Sequence, residues 1–154
     1  MQRLWEFQRI CIQLKVKNNM EYQKGKIPYT ALFVLDPGKL LAAFPPKHKH
    51  IFGHHLTLKF NVKSFESVEV GKKSLLKIIA RVFDENGDAL LVETDRSEKK
   101  YPHITLSCAE GVRRSYSDEM ITNAVLSHNI EYFKEPFEID VIEGYFNGYE
   151  DVIS

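Results

Sequence analysis

Two short segments carry residue types that can move protons and hold phosphate: His55-Leu56-Thr57-Leu58 and His103-Ile104-Thr105-Leu106. In a β-strand alternate side chains share a face, so each segment can bury its aliphatic residues and display an imidazole and a hydroxyl together. Strict alternation extends the displayed faces to Lys59 in the first strand and Ser107 in the second, with Phe60 on the apolar side. Two imidazoles can share one proton near neutral pH, one acting as base and the other as acid. Two hydroxyls can donate to the non-bridging oxygens of a phosphate as charge builds on them. Base activation of water and protonation of a leaving alkoxide then make a metal-free transfer at a phosphodiester. One such segment is weak evidence, but two by chance come to roughly one in two thousand.

Other residues near these segments suit the same chemistry. Arg113 and Arg114 follow the second segment and can contact phosphate or ribose. Tyr116 and Tyr29 head the aromatics that can stack on a base, with Tyr101, Tyr145 and Phe146 behind them. The four histidines at 48, 50, 54 and 55 also raise a zinc or nickel site, yet no Cys, Asp or Glu lies within 46–56 to complete it. Cys108 raises a thiol nucleophile, and alternation turns it towards the core. The eight glycines match neither the dinucleotide fingerprint nor the P-loop, so kinase, GTPase and dehydrogenase readings fall away.

The elements that must position these groups are mostly strands. Residues 10–16 alternate apolar and polar, and a polar loop follows over 18–27. Strands are expected at 29–35, 55–60, 74–83, 89–93, 103–107 and 137–146. Asn86-Gly87 between the fourth and fifth strands signals a hairpin with a type I′ turn. A short helix over 39–44 should stop at Pro45-Pro46. A second should run to about 127 with Ser117 as N-cap and Asp118 and Glu119 in its first turn. Seven strands and two helices make the class α+β with mainly antiparallel pairing.

With 154 residues, 44% of them hydrophobic, the chain has the size and apolar content of one domain. Its 21 basic and 21 acidic residues cancel, but unevenly: residues 1–63 hold 11 against 3 and residues 64–154 hold 10 against 18. That split implies two differently charged faces, or a local basic surface that draws in an anion. Two cysteines make no disulfide framework, and the longest apolar runs of five residues are far short of the about 20 a membrane span needs. The N-terminal residues lack the apolar core of a signal peptide, so a soluble protein of the cytoplasm or nucleus is expected.

The paired segments resemble the hallmark of the two-histidine (2H) phosphoesterase superfamily, two His-x-Thr/Ser motifs facing each other across a cleft. Pro102-His103-Ile104-Thr105-Leu106-Ser107, Gly111-Val112 and Tyr116-Ser117 look like the cyclic phosphodiesterase parts of RNA-repair ligases. There a Pro usually stands where Arg114 is found and an Asn where Asp118 is found. The similarity covers residues 29–146, and residues 1–28 form an extension outside it. The resemblance implies a bilobal α+β fold with one His-x-Thr strand per lobe. It implies hydrolysis, with no cofactor, of 2′,3′-cyclic phosphates or related 2′-linked phosphodiesters in RNA ends or small nucleotides. His55, Thr57, His103 and Thr105 would be catalytic, with His103 as base and His55 as acid. Lys59, Ser107, Arg113, Tyr116 and Tyr29 would bind substrate. Variants of this reading are a nuclease of 2′,5′-linked or cyclic oligonucleotides and a non-catalytic RNA-end or nucleotide-binding module on the same fold.

Overall fold

The computed structural model describes residues 27–63 and 67–154. The strand expected at 10–16, and Cys11 within it, lie outside the described residues.

In chain order the elements are β1 (Ile27–Val34), α1 (Pro37–Ala43), β2 (His50–Ile51), β3 (His55–Val62), β4 (Lys73–Phe83), β5 (Gly87–Glu93), β6 (His103–Cys108), α2 (Tyr116–Leu126), β7 (Tyr132–Phe146) and β8 (Asp151–Val152). All strand pairs are antiparallel, with neighbours in the order β1-β3-β6-β5-β4-β7-β8. A further pairing of β1 with β7 closes six strands into a barrel. The α+β class with few helices is therefore as expected. The division into two lobes is not: β7 runs for 15 residues and pairs with β4 through its first part and β1 through its second. That strand joins what would be two sheets into one closed surface. It starts five residues before the strand expected at 137–146, and the β4–β7 register shifts on that added stretch, which holds Pro136 and its missing ladder donor.

Leu32, Leu56, Ile78, Leu90, Ile104 and Val141, one from each barrel strand, are at most 4% exposed and fill the interior. Burying each such side chain is worth about 1.5–3 kcal/mol, so Leu56 and Ile104 anchor the two motif strands. Helix α1 begins at Pro37, with the Asp36 carboxylate accepting from Lys39 N–H, and ends before Pro45-Pro46. It drops Leu40 into the same core. Helix α2 packs Met120 and Ile121 on the outer faces of β4 and β5. No described helix is long and apolar enough to cross a membrane.

Two local expectations are corrected. The hairpin lies at Asn86-Gly87, but neither residue has positive φ, so the turn is not type I′. Asp84 Oδ1 instead accepts from both the Asn86 and Gly87 N–H groups, each at 2.8 Å. Gly87 is needed because a Cβ there would come within 2.9 Å of the Tyr116 ring. At α2 the N-cap is Ser115, and Ser117 is buried inside the first turn. The Ser117 hydroxyl finds Thr105 Oγ1 at 2.9 Å on β6, a partner that local sequence does not reveal.

Candidate active site

Strands β3 and β6 share only one paired position, Leu56 with Ile104. Antiparallel register then sets His55 across from Thr105 and Thr57 across from His103, all four on the face opposite the buried Leu56 and Ile104. The two histidines are diagonal neighbours, about 7–8 Å apart along such a pair, which is room for one phosphate.

Beyond that single pairing, each motif strand is bordered by the segment that precedes the other motif. Phe52 and Gly53 N–H groups donate to the carbonyls of Leu106 and Thr105 at 2.7 and 2.9 Å. Reciprocally, Glu98 N–H donates to the Leu58 carbonyl at 2.8 Å and the Ser97 hydroxyl to the Thr57 carbonyl at 2.7 Å. These segments satisfy backbone groups that the ladder leaves free, and so hold the seam open as a cleft. The cleft encloses about 340 Å³, bordered by Phe52, Lys99, Arg113, Arg114, Ser115 and Asp118 besides the motif residues.

Each motif also carries a β-bulge at its fourth residue. Thr57 and Lys59 face consecutive residues of β1, leaving Leu58 extra; Thr105 and Ser107 face consecutive residues of β5, leaving Leu106 extra. A bulge reverses which side chains face which way beyond it. Lys59 accordingly leaves the cleft for a separate groove beside Thr30, Leu58 and Ser67, and Phe60 takes its place. Ser107 is likewise withdrawn. It is fully buried and donates to Asp88 Oδ2 at 2.9 Å, in a network where Arg81 and the Lys47 N–H also bind that carboxylate. Lys59 and Ser107 are thus not cleft residues, because strict alternation fails after each threonine.

Of the other expected residues, Arg113 and Tyr29 line the cleft and Tyr116 does not. The Tyr116 hydroxyl is turned to the Asp84 carboxylate beneath the hairpin, which pushes its pKa up. Tyr29 stacks on His55 with ring centres 5.0 Å apart and planes at 20°, and on Phe146 behind it. Burial, helped by Asp151, pushes its pKa up to about 12, so it stays neutral and steadies the imidazole. The aromatic faces open to a ligand are Phe60, with Lys99 Nζ 5.0 Å from its ring centre, and Phe52, with the Arg114 guanidinium at 5.4 Å. Sequence reasoning missed Phe60, Phe52, Lys99 and Asp118. The bulge hid Phe60, and Phe52 and Lys99 arrive on the reciprocal segments. Among the described residues the Lys and Arg side chains that line the cleft, Lys99, Arg113 and Arg114, all come from the more acidic part of the chain.

The two imidazoles sit in different electrical surroundings. His55 Nδ1 lies 2.8 Å from His54 Nδ1, and His54 Nε2 lies 2.8 Å from Asp151 Oδ2. Burial first, then the basic neighbours His54, Arg114, His103 and Lys99, hold His55 well below the usual histidine range. His103 Nδ1 donates to the Tyr101 carbonyl at 2.9 Å, and its Nε2 lies 3.9 Å from Asp118 Oδ1. Burial lowers His103 as well, but the Tyr101 carbonyl and Asp118 oppose it. Lys99 Nζ binds both Asp118 oxygens at 2.8–2.9 Å and tethers that carboxylate at the cleft.

The histidine cluster does not converge. His48 Nε2 faces the Asp84 and Gly87 carbonyls at 2.8 and 3.2 Å, a set of partners separate from the His54–Asp151 pair. Among the described residues no group of three or more His, Cys, Asp or Glu side chains has metal-binding geometry. Cys108 is buried and its thiol is pushed up by burial, the opposite of an activated nucleophile. Comparison with protein-family models and with curated proteins returns no match to this chain.

Proposed function

We propose that this protein is a phosphodiesterase of the two-histidine type. Its substrates would be 2′,3′-cyclic phosphates or related 2′-linked phosphodiesters of RNA ends or small nucleotides, cleaved without a metal ion. The observation that carries this reading is the reciprocal placement of two His-Thr pairs around one phosphate-sized gap. A binding site needs anion contacts, but it has no use for two imidazoles that hold a proton unequally.

In this mechanism the phosphate lies between the motif strands, its non-bridging oxygens accepting from Thr57 and Thr105. Thr57 Oγ1 has no hydrogen-bond partner among the described residues, whereas Thr105 Oγ1 shares one with Ser117. Arg113 and Arg114 supply positive charge at the rim, and Phe60 or Phe52 offers a stacking face for a base. The environments favour His55 as base and His103 as acid, the reverse of the sequence expectation. Burial, reinforced by the basic groups around it, keeps His55 neutral and ready to take a proton from water. Asp118 favours a proton on His103 Nε2, which passes to the leaving alkoxide.

Product analysis on a panel of 2′,3′-cyclic nucleotides, 2′,5′-linked and cyclic oligonucleotides, in excess EDTA, tests the proposal. One bond type should be hydrolysed with chelator present. Loss of all turnover in EDTA with recovery on zinc or manganese would contradict it, and tight binding without turnover would turn the reading to a binding module.

A further inference from the structure

His55 poses a difficulty as a base. Everything that keeps it neutral also disfavours the imidazolium it must become, since the charge would form in a buried site beside Arg114, Lys99 and His103. Its Nδ1 contact offers a way out. Asp151 is a carboxylate and can only accept, so His54 Nε2 carries the proton of that 2.8 Å contact. When His54 is neutral its Nδ1 holds a lone pair, so the 2.8 Å contact to His55 requires His55 to donate from Nδ1. His55 is thereby fixed with Nε2 unprotonated, the state a base needs.

We infer that Asp151 and His54 form a proton relay for His55, so that the positive charge of the catalytic step comes to rest on His54 beside a carboxylate. As His55 Nε2 takes the proton from water, its Nδ1 proton passes to His54 Nδ1. The hydroxide equivalent attacks phosphorus, and His103 supplies the proton to the departing oxygen. One proton enters the histidine pair, one leaves His103, and no other reactant is required. His54 and Asp151 are positioning residues here, acting on substrate only through His55.

The surroundings suit this transfer. The His54 and Asp151 side chains are only 11% and 17% exposed, so their attraction is weakly screened. Tyr29 stacks on His55 from β1, and the Phe33 ring meets His54 edge-on at 5.4 Å, which fixes both imidazole planes. The charged or titratable groups around the pair are Asp151 from β8, Arg114 before α2, Lys99 before β6, His103 on β6 and Tyr29. Asp151 alone among them is negative. Strand β8 reaches this position because residue 144 on β7 is glycine; a Cβ there would overlap the Val152 carbonyl.

The relay rests on the phosphodiesterase reading for its function, but its tautomers can be observed without turnover. Nitrogen-15 NMR of histidine-labelled full-length protein at neutral pH should show His55 protonated at Nδ1 and bare at Nε2. Kinetically, Asp151→Asn and His54→Gln should each lower kcat by about 10–100-fold with KM nearly unchanged, and the acid limb of kcat should move down in pH. Glutamine can still accept from His55 Nδ1–H and keep the ring oriented, but it cannot take the proton, so it separates relay from orientation. A His55 protonated at Nε2 in the unmodified protein, or full kcat in His54→Gln, would overturn the inference. Should His54→Gln fail to fold, the tautomer of the unmodified protein still decides. The expected tautomer with no turnover of any substrate would sink the phosphodiesterase reading and leave the relay's geometry standing.

Discussion

The two motif strands are close copies in backbone and unlike in wiring. Each presents His-x-Thr, each bulges at the next leucine, and each is bordered by the segment leading into the other. Yet His55 meets a second imidazole backed by a carboxylate, whereas His103 donates to a carbonyl and has a carboxylate near its outer nitrogen. Shared backbone explains how two imidazoles come to flank one cleft. Different partners explain how one of them can take a proton while the other gives one, since neighbours rather than residue type set which form is favoured.

Removing the imidazoles breaks this comparison most severely. His55→Ala and His103→Ala should each cut turnover by about 10²–10⁴-fold. Neither should unfold the protein, because the barrel interior is filled by Leu56 and Ile104 and not by the histidines. Steady-state kinetics beside a melting curve checks both halves of that statement.

The threonines come next. Thr57→Ala should cost more than Thr105→Ala, on the order of 10²-fold against about 10-fold, because Ser117 stands beside Thr105 and can donate in its place. The double variant Thr105→Ala with Ser117→Ala should restore symmetry and bring the loss to the Thr57→Ala level.

The pH profile sharpens the comparison without mutation. Catalysis needs His55 unprotonated and His103 protonated, so kcat/KM falls below the first pKa and above the second. Both lie under the ordinary 6.5 in the free protein, His55 the further, so the maximum of kcat/KM should fall on the acid side of 6.5. A bound phosphodiester carries negative charge and raises both values, so the kcat window should sit at higher pH than that of kcat/KM. Plotting the two parameters over pH 4–9 tests the order of the windows.

The smallest effects belong to the residues beyond the bulges. Lys59→Ala should change kcat/KM by less than about twofold, as expected of a side chain facing another groove. Ser107→Ala should leave kcat alone but destabilise the fold by about 1–3 kcal/mol, since it strips one donor from the buried Asp88 carboxylate. Parallel assays and denaturant melts distinguish these from true cleft residues.

The contrast also shows where sequence is informative. Local patterning located β1, β3, β4, β5 and β6 within a few residues, and the doubled His-x-Thr pattern located the face that lines the cleft. What alternation cannot express is a bulge, which is decided by the register with a neighbouring strand. Lys59, Ser107 and Phe60 were misassigned for that one reason. Barrel closure depends on β7 pairing on both sides, a long-range fact with no local signature. Tyr116 failed differently: its ring covers Gly87 and its hydroxyl serves Asp84, about 30 residues away. The His54–Asp151 pair joins residues almost a hundred positions apart, so local sequence shows His54 only as a member of a histidine cluster.

In the proposed mechanism His55 takes the proton and His103 gives one. It is tested most directly by changing the leaving group. A p-nitrophenyl phosphodiester of a nucleoside departs as a phenolate and needs no acid, whereas the natural alkoxide does. With excess EDTA present, His103→Ala should recover most of its lost turnover on the activated ester, and His55→Ala should stay as impaired as before. Recovery by His55→Ala instead, or by neither variant, would contradict the account.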